Sequence, residues 1–258
     1  MKFTNGRVAI VTGAARGLGR AIAGRLAADG VSVVLSDVHG RGEARRIAEE
    51  VGARGGQAVA VQADLTERAD VRRLFRETLD RFDRLDILVL CGSATESQWD
   101  YDEDRPADDR QAFASSVRGT VAALQEAPRW MTNGGRIVSL VAPALTAAGR
   151  TALERVTRPL AEHLGGRGIS LNVVMPGPPP TGWFGYGHPP EDDAGPMRRP
   201  PFDRPGDLRD IADVVVFHVS DEAPRLTGHI IDGPSWVAVP ASEDEGMAPG
   251  ARDLPLIP

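Results

Sequence analysis

Short runs of Val, Ile, Leu and Ala recur along the chain at 8–11, 31–35, 58–61, 87–90, 136–141, 170–174 and 229–231. The runs are largely continuous, not alternating, which is the pattern of strands buried on both faces of a parallel sheet. Between them lie longer stretches rich in Ala, Arg and Glu, with apolar residues three and four positions apart: 17–29, 41–53, 67–82, 107–130, 147–164 and 207–218. That spacing predicts amphipathic helices. Asp64-Leu-Thr66-Glu-Arg-Ala-Asp70 places a cap ahead of the third helix, and Gly165–Gly166 stops the fifth. Repeated strand–helix units imply right-handed crossovers, so the expected fold class is α/β, one doubly wound parallel sheet with helices on both faces.

Two stretches break the rhythm. Residues 94–106 are acidic and irregular, and residues 176–206 hold half of the 20 prolines. Both follow C-terminal ends of strands, where doubly wound sheets bind ligands, and long segments there are expected to be functional loops. The expected organisation is one domain over 1–239, including a substrate loop at 178–206, and an extended tail over 240–258.

Composition narrows the function classes. The chain has 258 residues and a net charge of -6, which argues against nucleic acid or an anionic membrane as a partner. Cys91 is the one cysteine, so no internal disulfide or thiolate metal cluster is available. His39, His163 and His229 lack metal-ligand spacing, so no metal site is expected. No apolar run approaches membrane-spanning length and the first residues lack the apolar stretch of a signal peptide, so a cytoplasmic protein is expected.

The strongest motif is Thr12-Gly13-Ala-Ala-Arg16-Gly17-Leu18-Gly19, between an apolar run and a periodic helix. Glycines there permit a tight turn and close approach of a pyrophosphate, and the helix N-terminus offers unpaired N–H groups. Asp37 follows eighteen residues after Gly19. An acid at that place accepts hydrogen bonds from ribose hydroxyls and repels a 2′-phosphate, which favours NAD over NADP; Arg16 in the turn softens that preference. Asp64 and Leu65 suit the adenine edge, and Asp64 equally suits a helix cap.

These residues, together with Ala152-Leu-Glu-Arg-Val-Thr-Arg-Pro-Leu-Ala, Gly168-Ile-Ser-Leu-Asn172-Val-Val-Met-Pro176-Gly177, Asp210-Ile-Ala-Asp and Ser220-Asp221-Glu222, resemble the short-chain dehydrogenase/reductase (SDR) family. The resemblance implies a seven-stranded Rossmann-type domain and a nicotinamide dinucleotide. It implies a homodimer or homotetramer built on the fourth and fifth helices. It adds Gly92, Pro176, Gly177 and Thr181 to the cofactor site, the last three beside the nicotinamide.

The catalytic half departs from that family. Family hydride transfer uses a Tyr as acid or base, a Lys that lowers its pKa and holds the ribose, and a Ser and an Asn. Anchored on 152–164 and on Val117-Arg118-Gly119-Thr120, the Tyr-x-x-x-Lys stretch reads Thr146-Ala-Ala-Gly-Arg150. The Asn position reads Ser116 and the Ser position reads Ala142. A Thr hydroxyl is too weak an acid to replace Tyr, and Thr146 suits an N-cap. Arginine stays protonated, so Arg150 can hold ribose hydroxyls or an anion but cannot shuttle protons. Proton transfer then falls to the loops. Tyr186 and His188 lie beside Trp183 and Phe184 in one; Glu96, Trp99, Asp100 and Tyr101 lie in the other. That aromatic concentration suits a flat ligand with one polar contact. The expected function is an NAD-binding, oxidoreductase-like enzyme acting on a small cyclic or aromatic metabolite. Two alternatives stay open: a non-redox cyclase, dehydratase or lyase on the same scaffold, and a non-catalytic subunit that pairs with an active SDR. In either, the dinucleotide is bound without turnover or is absent.

Overall fold

In the computed structural model, the described residues are 3, 6–38, 40–91, 106–141, 147–175 and 208–232, with backbone alone at 41, 106–116, 147–154 and 232. Strands and helices alternate: β1 (Val8–Thr12), α1 (Gly17–Ala28), β2 (Ser32–Asp37), α2 (Arg41–Ala53), β3 (Ala58–Gln62), α3 (Arg68–Phe82), β4 (Ile87–Cys91), α4 (Pro106–Trp130), β5 (Arg136–Leu140), α5 (Ala147–Gly165), β6 (Ser170–Met175), α6 (Leu208–Val219) and β7 (Ile230–Asp232). The strands form one seven-stranded sheet in the order β3-β2-β1-β4-β5-β6-β7, every pair parallel. The expected doubly wound architecture is therefore present. Its strand order reverses between β1 and β4, which places the ligand crevice above their C-terminal ends.

Continuous apolar strands are required because both faces of the sheet are covered. Ala9, Val11, Ile87 and Val89 face a layer made by α1, α2 and α6, through Leu18, Ile22, Leu26, Ile47, Val215 and Val219. The alternate residues Ile10, Leu88, Leu90 and Ile137 face α3, α4 and α5, through Leu74, Phe75, Leu124 and Leu164. One core thus lies on each side of the sheet, and truncating any fully buried Leu or Ile to Ala is expected to cost about 2–5 kcal/mol.

The foot of the sheet, at the N-terminal strand ends, is fastened by Asp86. Its Oδ2 accepts the Val8 N–H at 2.9 Å and the Arg84 Nε at 2.8 Å. Its Oδ1 accepts Arg84 Nη2 and Thr132 Oγ1, both at 2.8 Å. Burial pushes this carboxyl up, but the Arg84, Val8 and Thr132 donors outweigh it and leave it below the usual carboxylate range. Nearby, Arg167 closes the end of α4: its Nη1 donates to the Pro128 carbonyl, and its Nη2 to the Met131 carbonyl at 2.6 Å.

Element boundaries moved little from the expectation. β2 runs to Asp37, so that acid is the last strand residue and not part of the following loop. β3 ends at Gln62, two residues before Asp64. The third helix is not capped by Asp64: its cap residue is Glu67, which makes no side-chain capping bond. Asp64 Oδ1 instead accepts the Thr66 N–H at 2.8 Å and the Thr66 hydroxyl at 2.7 Å, while the Glu67 N–H donates to the Asp64 carbonyl at 3.0 Å. An Asx turn therefore stands between this side chain and the helix it was expected to cap.

Candidate dinucleotide site

The turn between β1 and α1 owes its shape to three glycines with different duties. Gly13 and Gly17 have φ of +59° and +51°, a left-handed conformation that side chains with a Cβ disfavour. Gly19 is an ordinary helical residue, and its constraint is space. A Cβ there would lie 2.2 Å from the Gly13 carbonyl oxygen and 3.1 Å from that of Thr12. The first turn of α1 is thereby drawn down onto the end of β1. Its cap residue Arg16 makes no side-chain capping bond, and the first turn carries no acid. With neither a capping side chain nor an acid there, the amides at the start of α1 and the helix dipole suit a negatively charged ligand group.

The crevice floor joins β1 to β4. The Thr12 hydroxyl donates to the Cys91 carbonyl at 3.1 Å, and a Cβ at Gly13 would lie 3.2 Å from the same oxygen. Cys91 itself is buried, and burial pushes its thiol up to about 12, so it stays protonated and unreactive near neutrality.

Asp37 stands at the end of β2, beside the glycine turn. Its Oδ1 accepts the Gly40 N–H at 2.8 Å and its Oδ2 accepts the Ala15 N–H at 3.4 Å. The Ala14 N–H donates to the Ser36 carbonyl at 3.1 Å, which ties the turn to β2 again. On the far side of β2, the Asp64 N–H donates to Asp70 Oδ2 at 3.0 Å. That bond, then Arg73, holds the Asp70 carboxyl below the usual range. An open cleft of about 580 Å³ runs along the edge strand there, lined by Val38, Gln62, Asp64, Asp70, Arg73 and Glu77 among others. It lies outside the β1–β4 crevice, and its polar lining suits the solvent-facing end of a ligand. A Cβ at Gly119 on α4 would lie 2.9 Å from the Leu65 Cβ, so α4 rests directly on this turn.

The structure thus brings Gly13, Arg16, Gly17, Leu18, Gly19 and Asp37 together at one end of the sheet, with Asp64 and Leu65 beside β3. Ser116 lies on α4 and Arg150 on α5, as backbone positions. Thr146 directly precedes α5. Thr146, Tyr186, His188, Gly92, Pro176, Gly177 and Thr181 lie outside the described residues, as do Ala142, Trp183, Phe184 and the 94–101 candidates. His218 on α6 is buried within its own chain, with its Nδ1 2.7 Å from the Val214 carbonyl. No group of three or more His, Cys, Asp or Glu side chains suited to a metal occurs among the described residues, and no helix among them is long and apolar enough to cross a membrane.

Sequence reasoning missed one support of the site and one of the fold beside it. Gly40 holds Asp37, and its only signal was a glycine just ahead of the second helix. Asn172, fully buried in β6, donates from Nδ2 to the Leu226 carbonyl at 2.8 Å and accepts the His229 N–H at 3.1 Å, which seats the segment entering β7.

A family profile described as enoyl-(acyl carrier protein) reductase matches residues 13–233. An uncharacterized oxidoreductase of Methylorubrum extorquens is 34% identical over 252 residues, spanning 92% of this chain and 100% of its own. A hydroxynaphthalene reductase-like protein, Arp2, of Metarhizium guizhouense is 38% identical over 182 residues, spanning 67% of this chain and 68% of its own. Among solved structures, a short-chain dehydrogenase from Burkholderia cenocepacia in complex with NADP superposes with a TM-score of 0.75 at 32% identity, over 90% of this chain and 97% of its own. The chain belongs to the short-chain dehydrogenase/reductase family.

Proposed function

We propose that this chain binds a nicotinamide dinucleotide across the β1–α1 turn and works as an SDR-family oxidoreductase on a small cyclic or aromatic metabolite. The observation that carries the reading is the uncapped first turn of α1, drawn onto β1 by Gly19 and flanked by Asp37. The amides of α1 would hold the pyrophosphate, Asp37 the adenosine ribose, and the Asp64–Leu65 turn the adenine. When bound, the dinucleotide supplies a hydride donor or acceptor. The NADP complex of the Burkholderia relative supports a nicotinamide cofactor, and the aromatic substrate named for the Metarhizium relative supports the substrate class. We favour NAD over NADP because the carboxylate of Asp37 opposes a 2′-phosphate, although the solved Burkholderia relative holds NADP. Arg16, in the same glycine turn, weakens that preference.

Proton transfer in this reading does not use the family's Tyr–Lys pair. Lys2 is the chain's one lysine, and its tyrosines are Tyr101 and Tyr186, so no Tyr-x-x-x-Lys exists anywhere in the sequence. Arg150 would contribute a fixed positive charge on the cofactor side, with Ser116 and Thr146 as hydrogen-bonding hydroxyls. His188 or Tyr186 would exchange the proton, His188 being able to do so near neutral pH. The same absence favours a second reading, in which the dinucleotide is bound without turnover. Assembly through α4 and α5 fits both. Val117 and Val156, the exposed large hydrophobic residues among those described, lie on these two helices.

The test is calorimetric titration of the purified protein with NAD, NADH, NADP and NADPH. Saturable binding of the NAD pair is expected, tighter than of the NADP pair; no binding of any of the four overturns the reading. Turnover of bound NADH with small cyclic or aromatic ketones, followed by nicotinamide absorbance, separates the first reading from the second.

A further inference from the structure

Asp37 is an exposed type of residue in a place where its carboxylate would have to point one way to act. Something must fix it, and the structure shows what does. Gly40 is buried just ahead of α2, with its N–H on Asp37 Oδ1 at 2.8 Å. Its φ is -86°, so no left-handed backbone calls for glycine there. The constraint is space on two sides. A Cβ at Gly40 would lie 2.3 Å from the Ala15 Cβ, in the glycine turn. It would also lie 3.1 Å from Asp37 Oδ1 and 3.2 Å from Asp37 Cγ. The bare α-carbon of Gly40 is therefore wedged between the pyrophosphate turn and the ribose-side acid.

We infer that Gly40 is the specificity-positioning residue of this site: it holds the Asp37 carboxylate where the carboxylate discriminates a ribose 2′-hydroxyl from a 2′-phosphate. The inference rests on the dinucleotide reading above. Gly40 does not touch the ligand in this account. It acts through Asp37 in two ways. Its N–H occupies one carboxylate oxygen, while the Ala15 N–H occupies the other at 3.4 Å, so the carboxyl plane is set before ligand arrives. Its missing Cβ lets the backbone at Gly40 close against Ala15, which keeps that carboxylate beside the turn. An added methyl would push the carboxylate aside and leave a 2′-phosphate less strongly opposed, since charge repulsion in such a site depends on close approach.

The experiment compares 5′-AMP with adenosine 2′,5′-bisphosphate, two probes that differ by the 2′-phosphate and need no catalysis. The wild-type protein is expected to prefer 5′-AMP by about tenfold or more, the size of a like-charge penalty at a partly exposed site. Gly40→Ala is expected to reduce that preference to within about threefold, and Asp37→Asn to do the same by removing the charge. The sharper variant is Ala15→Gly/Gly40→Ala. It relieves the 2.3 Å contact that endangers folding but leaves the methyl against Asp37 Oδ1. Loss of discrimination in that folded double variant supports the role of Gly40 at the carboxylate. Discrimination equal to wild type in the double variant shows that Gly40 serves packing alone and overturns the inference. A wild-type protein that binds both probes equally overturns it as well, because Asp37 then discriminates nothing. A wild-type protein that binds neither probe instead refutes the dinucleotide reading on which the inference stands.

Discussion

Gly19→Ala is the most direct perturbation of the dinucleotide turn, because the added methyl meets backbone rather than a side chain that can swing away. The ideal Cβ lies 2.2 Å from the Gly13 oxygen and 2.7 Å from the Gly13 carbon. Restoring an ordinary contact of about 3.5 Å requires α1 or the turn to move by roughly 1 Å. The helix cannot tilt freely, because Leu18, Ile22, Ala23 and Leu26 are buried beneath it. Overpacking of this kind costs about 1–3 kcal/mol. For a chain of this size that corresponds to a melting temperature lowered by roughly 2–12 °C. The larger effect falls on ligand. Hydrogen bonds to a charged group contribute about 1.5–3 kcal/mol each, and a displacement of roughly 1 Å loses at least one. Affinity for NADH should then fall by roughly tenfold to a hundredfold. Gly24→Ala on the same helix is the control. Its Cβ would meet nothing within 4 Å, so the helix is expected to gain about 0.5–1 kcal/mol with binding unchanged. The assay pairs thermal melting with calorimetric titration of both variants. A Gly19→Ala protein that melts and binds like wild type refutes the close approach of α1 to β1.

Asp86→Asn removes the charge that Arg84 meets and should cost roughly 1–3 kcal/mol, discounted because Arg84 is partly exposed; urea melts measure it. In the wild-type chain the Asp86 carboxyl sits below its unfolded value, so its contribution is present above about pH 4 and is lost as pH falls through the lower folded value. The gap between wild type and Asp86→Asn should therefore close on acidification, and a gap independent of pH would contradict the assignment. Cys91 should resist a soluble aromatic disulfide until the protein is unfolded; rapid modification of the native state would contradict its burial. Asn172→Leu strands the Leu226 carbonyl and the His229 N–H and should destabilise by about 1–3 kcal/mol on chemical denaturation, with no change expected in 5′-AMP affinity.

The strands were legible because most are nearly continuous apolar runs, as burial on both faces favours, with Asn172 and Ser139 as buried polar exceptions. The glycine turn and Asp37 were legible because their function fixes their spacing along the chain. Gly40 was not, since its need for an absent Cβ arises only when the turn at Ala15 folds back against it. Asp86 was hidden for a similar reason: it gathers Val8, 78 positions away, and Thr132, 46 positions away. Asp64 shows the opposite error. Sequence left it two uses, adenine edge and helix cap; the cap does not form, because its carboxylate accepts both Thr66 donors within its own turn. His188 and Tyr186, proposed for proton transfer, come from the composition of their loop and lie outside the described residues.

The strand order has a consequence for how the chain comes to be made. β1 lies in the middle of the sheet, yet of its two neighbours only β2 follows soon after it. The other edge waits for β4, pairing Ala9 with Ile87 and Val11 with Val89. During synthesis, three strands and their helices emerge before that edge has a partner. An apolar strand of five residues is then open to pairing with other chains. Asp86 and the start of β4 emerge together, so the latch at the foot arrives with the strand it secures. A nascent chain halted before residue 86 should be aggregation-prone, and one released just after β4 much less so.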